Sequence, residues 1–190
     1  MMRSSVAVIM AGGKSSRMQR DKALLPFGEY ASLAQFQYAR LSQLFSKVYI
    51  SAKWNKFDFE VNIIEDNYEI SSPLVALVSI LETLEVDEVF VLSVDSPFVS
   101  QEVIEQLYAN AISSADVIIA SSKEGLEPLC AIYRRTILKE AYESLEVNNH
   151  RLQALLKRVE TVTVSIENEE AFWNLNYPSE YEEATLRVGR

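Results

Sequence analysis

"VAVIMAGGKSSRMQRDKALLPFGE", residues 6–29, begins as a short β-branched apolar run, breaks into two glycines, and then places four basic residues within nine positions. Gly12 and Gly13 allow a sharp backbone turn and let N–H groups approach an anion closely. Lys14, Arg17 and Lys22 can neutralise phosphate oxygens, arginine gripping two at once. The stretch is not a Walker loop, which needs a second glycine directly before Lys-Ser/Thr. It is not a G-x-G-x-x-G dinucleotide fingerprint either. A glycine turn with a solvated basic rim is the competing reading, so the rest of the chain has to decide.

Apolar runs and amphipathic stretches alternate along most of the 190 residues. The spacing predicts strands over 6–11, 47–51, 60–66, 88–94, 116–121, 127–135 and 162–166. Helices are predicted over 31–45, 73–84, 100–112, 136–146 and 150–158, and a short strand enters a last helix within 172–186. Pro73 suits the first turn of its helix, where a missing N–H costs nothing. Ser100 reads as an N-cap, with Glu102 or Glu105 as its capping-box partner. This alternation implies one α/β domain with a parallel or mostly parallel sheet covered on both faces. Ligands of such sheets bind at the carboxyl ends of strands, so the loops after strands are where chemistry is expected.

Composition narrows the function classes. Hydrophobic residues make up 48 % and charged residues 24 %, which fits a folded soluble protein. One cysteine and one histidine exclude a disulfide framework, a four-cysteine zinc site and a His-based metal cluster. They fit a reducing, cytoplasmic setting. The apolar run near the start is too short for a signal core, and no segment approaches a membrane-spanning length. The net charge of −9 argues against nucleic-acid binding. Residues 1–22 nevertheless carry five basic residues against Asp21, a local +4 that suggests a confined anionic ligand.

Three further loops carry candidate residues. Asp66 stands in "IIEDN" (63–67), just past a strand, where an aspartate commonly forms a turn or caps a helix. Asp95 follows the most apolar strand in "VLSVDSPF", as a turn residue or as a rigid carboxylate suited to Mg²⁺. Asn174 and Asn176 alternate in "FWNLNYP", which on a strand directs both amides to one face, toward a polar ligand or the cap of the final helix. Cys130, with no partner in sequence, reads as a packed core thiol, and His150 as a surface or helix-start residue.

The ordered combination "AGGKSSRM…DKALLPF" resembles the signature of the molybdenum cofactor guanylyltransferases (the MobA family), written L-A-G-G-x-S-x-R-M-G-x-D-K. Met10 stands in for leucine and Gln19 for a glycine. Three more family motifs follow in order: I-x-D with a Gly-Pro-Leu-x-Gly segment, read here as Asp66 and "SSPLVAL"; D-x-P-F/Y, read as "DSPF"; and N-x-N-T-P-E-E/D, read as "NLNYPSE". Ser72 and Ala76 replace both glycines of the second motif, and Tyr177 the threonine of the last. The resemblance is collinear from about Val6 to Ala184. "EPLCAIYRR" is similar to a family strand, which places Tyr133 and Arg134 as candidates to touch the acceptor, and Arg151 resembles a family arginine near that site.

The resemblance implies a three-layer αβα sandwich with a mostly parallel (mixed) sheet, a Rossmann-like nucleotidyltransferase fold of the GT-A-like superfamily. Residues 1–100 would form a nucleotide-binding half and 101–190 an acceptor-binding half. It implies transfer of GMP from GTP to the terminal phosphate of molybdopterin (the molybdenum cofactor), with pyrophosphate leaving. In that scheme Met10, Ala11, Gly12, Gly13, Lys22, Asp66 and Asp95 bind the nucleotide; Arg17, Lys22 and Asp95 are catalytic. Asp95 holds Mg²⁺ or Mn²⁺, and Asn174 and Asn176 meet the acceptor. Implied protein partners are cofactor-inserting proteins or molybdoenzymes, in transient contact. A cytidylyl- or sugar-1-phosphate nucleotidyltransferase of the same fold is the alternative enzyme, and a non-catalytic nucleotide- or cofactor-binding protein the alternative of another class.

Overall fold

β1 (Arg3–Met10) shows why the sheet is covered on both sides. Ala7 and Ile9 pack into one apolar cluster, whereas Val6, Val8 and Met10 pack into another. Successive side chains of a strand face opposite ways, so a strand apolar at every position from Val6 to Met10 needs a helical layer on each face. The computed structural model describes residues 3–12 and 20–188. Gly13, Lys14, Arg17 and Gln19 lie outside the described residues.

The remaining strands are β2 (Phe45–Ala52), β3 (Asn62–Glu65), β4 (Glu88–Ser93), β5 (Val117–Ser122), β6 (Gly125–Arg134) and β7 (Thr161–Ser165). Among the described residues they form one seven-stranded sheet in the order β3-β2-β1-β4-β6-β5-β7. β6 runs antiparallel to β4 and β5, and every other pairing is parallel. On one face α1 (Leu33–Leu41), α3 (Gln101–Ala109) and α6 (Pro178–Val188) supply the cluster around Ile9. On the other, α2 (Pro73–Leu84), α4 (Leu138–Glu146) and α5 (Leu152–Leu156) cover Val8 and Met10. This is the expected three-layer αβα sandwich with a mixed, mostly parallel sheet.

The strand order reverses beside β1. From β1 the chain crosses to β2 on one side, and β4 returns on the other, so the loops leaving β1 and β4 diverge and open a crevice between them. Two backbone bonds fix its floor: Ala11 N–H donates to Ser51 O at 2.9 Å, and Val94 N–H to Met10 O at 3.0 Å.

Two expectations are corrected. Residues 172–177 form no strand: Glu169–Phe172 is a 3-10 turn and the chain then runs irregularly into α6. The reason lies in α6, where the Glu180 carboxylate accepts from the N–H groups of Asn176 (2.6 Å) and Tyr177 (2.9 Å), donors a strand would have needed. The capping box at α3 also does not form. Ser100 occupies the N-cap but makes no side-chain bond to the helix backbone, while Glu105 accepts from Gln101 at 3.0 Å.

Candidate functional site

Asp21 begins the construction. Its Oδ1 accepts from Ala23 N–H at 3.1 Å and so caps the short 3-10 turn Lys22–Leu24. That turn carries Lys22 toward the crevice, where Nζ meets Asp95 Oδ2 at 2.5 Å and Asn176 Oδ1 at 3.3 Å. The side chains of Lys22 and Asp95 are only 15 % and 19 % exposed, enough shielding to strengthen the attraction relative to a surface pair. Asp95 stands two residues beyond β4, and Ser93 Oγ donates to its Oδ1 at 2.5 Å.

The chain's end closes the other side. Leu175 N–H donates to the Asp95 carbonyl at 3.0 Å, and Ser96 Oγ donates to Asn174 Oδ1 at 2.5 Å. Asn174 thus reaches the Asp95 loop and Asn176 the Lys22 ammonium, from a docked irregular segment instead of the expected strand. Met10 and Ala11 form the buried exit of β1, and Gly12 is exposed beyond it. A Cβ built on Gly12 would meet nothing within 4 Å, so no packing among the described residues demands glycine there.

Asp66 follows β3 and is half-buried beside the start of α2. Burial raises its carboxyl pKa, an effect partly offset by the Lys53 ammonium and by the Ser71 hydroxyl. Ser72 is the N-cap of α2, extended at φ −153° and ψ 161°, with Oγ accepting from Val75 N–H at 3.1 Å. That conformation needs no glycine, and the hydroxyl satisfies a donor glycine would leave to solvent. Ser72 Oγ also lies 3.2 Å from His150 Nδ1, and His150 Nε2 lies 2.8 Å from Asn148 Oδ1. A ring protonated on Nε2 satisfies both. His150 is thus half-buried and tied to α2, more than a bare surface residue.

Two linked cavities open beside Asp95. The inner one, about 240 Å³, is lined by Ser93, Asp95, Ser96, Pro128 and Cys130; the outer one, about 400 Å³, by Ser122, Trp173 and Asn176. Glu127, Phe172 and Asn174 line both. A bulge shapes the inner wall: against β5, Glu127 pairs with Ala120 and Ala131 with Ile119, leaving residues 128–130 out of that ladder. Pro128, with no N–H to give, fits there without loss. Burial raises the Glu127 carboxyl pKa, and Ser122 Oγ donates to it at 2.7 Å.

Several polar groups do structural work. Cys130 is buried, free and pushed up in pKa by burial. Tyr133 is fully buried and donates to Pro128 O at 2.8 Å, and Arg134 is taken up by Glu88 and the carbonyls of Ile112, Ser113 and Ala115. Neither faces the cavities. Arg151 lines a separate groove with His150 and Pro73. Sequence reasoning missed Gln37 and Arg40, which hold the Asp95 loop from below. Gln37 Nε2 donates to Ser96 O at 3.0 Å, Arg40 donates to Gln37 Oε1 at 2.6 Å, and a second Arg40 nitrogen donates to Val99 O. Burial pushes the Arg40 pKa down to about 10. The available signal was two polar residues, three apart, on the apolar face of a helix.

Among the described residues no helix is long and apolar enough to cross a membrane, and no group of three or more His, Cys, Asp or Glu residues could hold a metal. A family profile described as the MobA-like NTP transferase domain matches residues 7–164. The chain is similar to a molybdenum cofactor guanylyltransferase of Campylobacter jejuni subsp. doylei, 40 % identical over 177 residues and 92 % of each chain. A Helicobacter pylori protein of the same name is 35 % identical over 183 residues, covering 92 % of this chain and 89 % of that one. In fold it is similar to the molybdopterin-guanine dinucleotide biosynthesis protein A of Archaeoglobus fulgidus, with a TM-score of 0.80 at 19 % identity over 96 % and 97 % of the two chains. With this profile matched over residues 7–164 and these relatives matched over about nine-tenths of the chain, the chain belongs to the family of MobA-like NTP transferases.

Proposed function

We propose that this chain transfers GMP from GTP to the terminal phosphate of molybdopterin. An acceptor phosphate oxygen attacks the α-phosphorus, the bond to the α–β bridging oxygen breaks, and pyrophosphate leaves with the electron pair. The products are molybdopterin guanine dinucleotide and pyrophosphate. The observation that carries this reading is the meeting of Lys22, Asp95 and Asn176, far apart in sequence, at the switch point of the sheet. The names of the curated relatives direct it to GTP and molybdopterin.

Phosphoryl chemistry of this kind rests on positioning and charge neutralisation, so no base of unusual pKa is needed. Lys22 neutralises charge at the α-phosphate, Asp66 accepts from the guanine edge, and Gly12 and Gly13 offer backbone donors to the triphosphate. Arg17 grips the leaving pyrophosphate. Asn174 and Asn176 face the acceptor, so the two halves of the chain would divide nucleotide from acceptor. Asp95 is the residue that would hold a divalent ion. The hard oxygens around it, a carboxylate with a serine hydroxyl and two amide carbonyls nearby, suit Mg²⁺ or Mn²⁺. A lone carboxylate also fits an ion that completes its shell with substrate phosphates and waters. When bound, the ion would neutralise phosphate charge. The setting proposed is the cytoplasm, with the product passed to cofactor-inserting proteins or molybdoenzymes.

The test is release of pyrophosphate from Mg–GTP that depends on added molybdopterin, beside calorimetric titration with GTP, CTP and UTP. Molybdopterin-dependent release with GTP preferred is expected. Preference for CTP would move the assignment to cytidylyl transfer, and binding without release would leave a carrier.

A further inference from the structure

The geometry points to Lys56 as a positioning residue that aims Lys22 at the reacting phosphate, a role that rests on the guanylyl-transfer reading above. Lys56 lies in the loop between β2 and β3, outside every motif. Its ammonium donates to Ala11 O at 3.0 Å and meets Asp21 Oδ2 at 2.5 Å. The side chain is 14 % exposed, so this is no mobile surface pair. Its loop is itself anchored: Asn55 Oδ1 accepts from Phe57 N–H, and the rings of Phe57, Phe59 and Tyr38 form a chain with centroids 5.8 Å apart at each step.

The two oxygens of Asp21 are divided between two tasks. Oδ1 caps the turn that carries Lys22, and Oδ2 is held by Lys56. Lys56 also grips the carbonyl of Ala11, the residue that follows β1, so the turn is tied to the sheet through one ammonium. The relay runs from the sheet through Lys56 and Asp21 to Lys22, and ends at Asp95. An amine aimed at a transferring phosphate must be held within a fraction of an ångström, and a misplacement of roughly 1 Å costs about a hundredfold in rate. Lys56 thus bears on Lys22 through Asp21 and Ala11, and so acts by position.

The experiment uses the full chain with Lys56→Met, which keeps the stem and removes the charge, and Asp21→Asn, which keeps the cap and weakens the pair. Each is expected to lower kcat about tenfold to a hundredfold, with KM for Mg–GTP changed much less. In a Lys22→Ala background Lys56→Met should add nothing further. Equal additional losses with and without Lys22 would overturn the relay. A second readout needs no substrate: the ¹⁵N ammonium resonance of Lys22, assigned by its disappearance in Lys22→Ala. It should shift in Lys56→Met and Asp21→Asn and stay put in Lys47→Met, a change at an exposed strand position. An unmoved resonance in both variants overturns the proposal even if guanylyl transfer stands. A wild-type protein without transfer activity would sink the functional reading while the resonance still decides the relay.

Discussion

Lys22 and Asp95, 73 residues apart in sequence, close an ion pair of 2.5 Å across the mouth of the β1–β4 crevice. In the free protein each therefore neutralises the other. On the proposed function, a substrate carrying its own negative charge and a divalent ion would offer both groups a better partner, so binding would exchange one internal pair for two external ones. Lys22→Ala or Asp95→Ala should lower kcat by about 10²–10³ with the far-ultraviolet circular dichroism unchanged. Steady-state pyrophosphate release measures the first quantity. Activity like the wild type in either variant removes that residue from the mechanism.

Gln37 offers a separate handle on the same loop. Gln37→Leu keeps the volume close to constant but deprives the Ser96 carbonyl and the Arg40 guanidinium of a buried partner. A loss of about 1–3 kcal/mol is expected in urea unfolding, together with a fall in kcat as Asp95 loses its support. Full stability in the variant would show that the network is dispensable.

For Asp66 the expectation concerns pH. Its carboxyl is raised by burial, so it takes up a proton at a higher pH than an ordinary aspartate as the solution is acidified. The ionised form is the one able to accept from a guanine edge. GTP affinity should therefore weaken on acidification from neutral pH sooner than for a standard carboxylate. Stability runs the other way: a raised pKa penalises the folded state where the group is ionised, and protonation relieves that penalty. Asp66→Asn should flatten the acid limb of GTP binding measured by calorimetry. An unchanged limb would assign it elsewhere.

Ser72→Ala is expected to cost about 1 kcal/mol through loss of the α2 cap, and Ser72→Gly only a few tenths. Thermal unfolding compares them. GTP affinity within twofold of the wild type in both would show that serine at this position is a stabilising choice compatible with nucleotide binding.

Trp173 supplies an optical test of whether the acceptor occupies the outer cavity. Its ring stacks on Phe98 with centroids 5.4 Å apart, carries the Arg187 guanidinium at 4.6 Å, and lines the outer cavity. Trp54, the other tryptophan, is 57 % exposed in the β2–β3 loop. In Trp54→Phe protein, molybdopterin should change Trp173 emission and GTP alone should not. A response to GTP alone would mean that the cavity does not divide acceptor from nucleotide.

The fold was legible where local and global signals agree. β1, β4 and α2 carry unbroken apolar runs, and for α2 the spacing and Pro73 give bounds that the structure reproduces at Pro73–Leu84. Asp95 was legible because it ends the most apolar strand. Residues 172–177 were misread because alternation in sequence does not show that Glu180 takes their N–H groups. Lys56 was invisible for a different reason: its partners, Ala11 and Asp21, lie 45 and 35 residues away, and nothing near it in sequence marks the contact. Gln37 and Arg40 left a trace, as polar residues on an apolar face, that periodicity alone treats as noise.

The bond from Leu175 N–H to the Asp95 carbonyl has a consequence for how the molecule comes into being. A chain leaves the ribosome from its first residue onward, and its early strands emerge first. β1, β2, β3 and β4, with Lys22, Asp66 and Asp95, are synthesised well before the segment that latches onto Asp95. A nascent chain therefore has Lys22, Asp66 and Asp95 in place before the segment that carries Asn174 and Asn176 is made. On the proposed function, a polypeptide still lacking that segment would carry the nucleotide-side residues without those that face the acceptor.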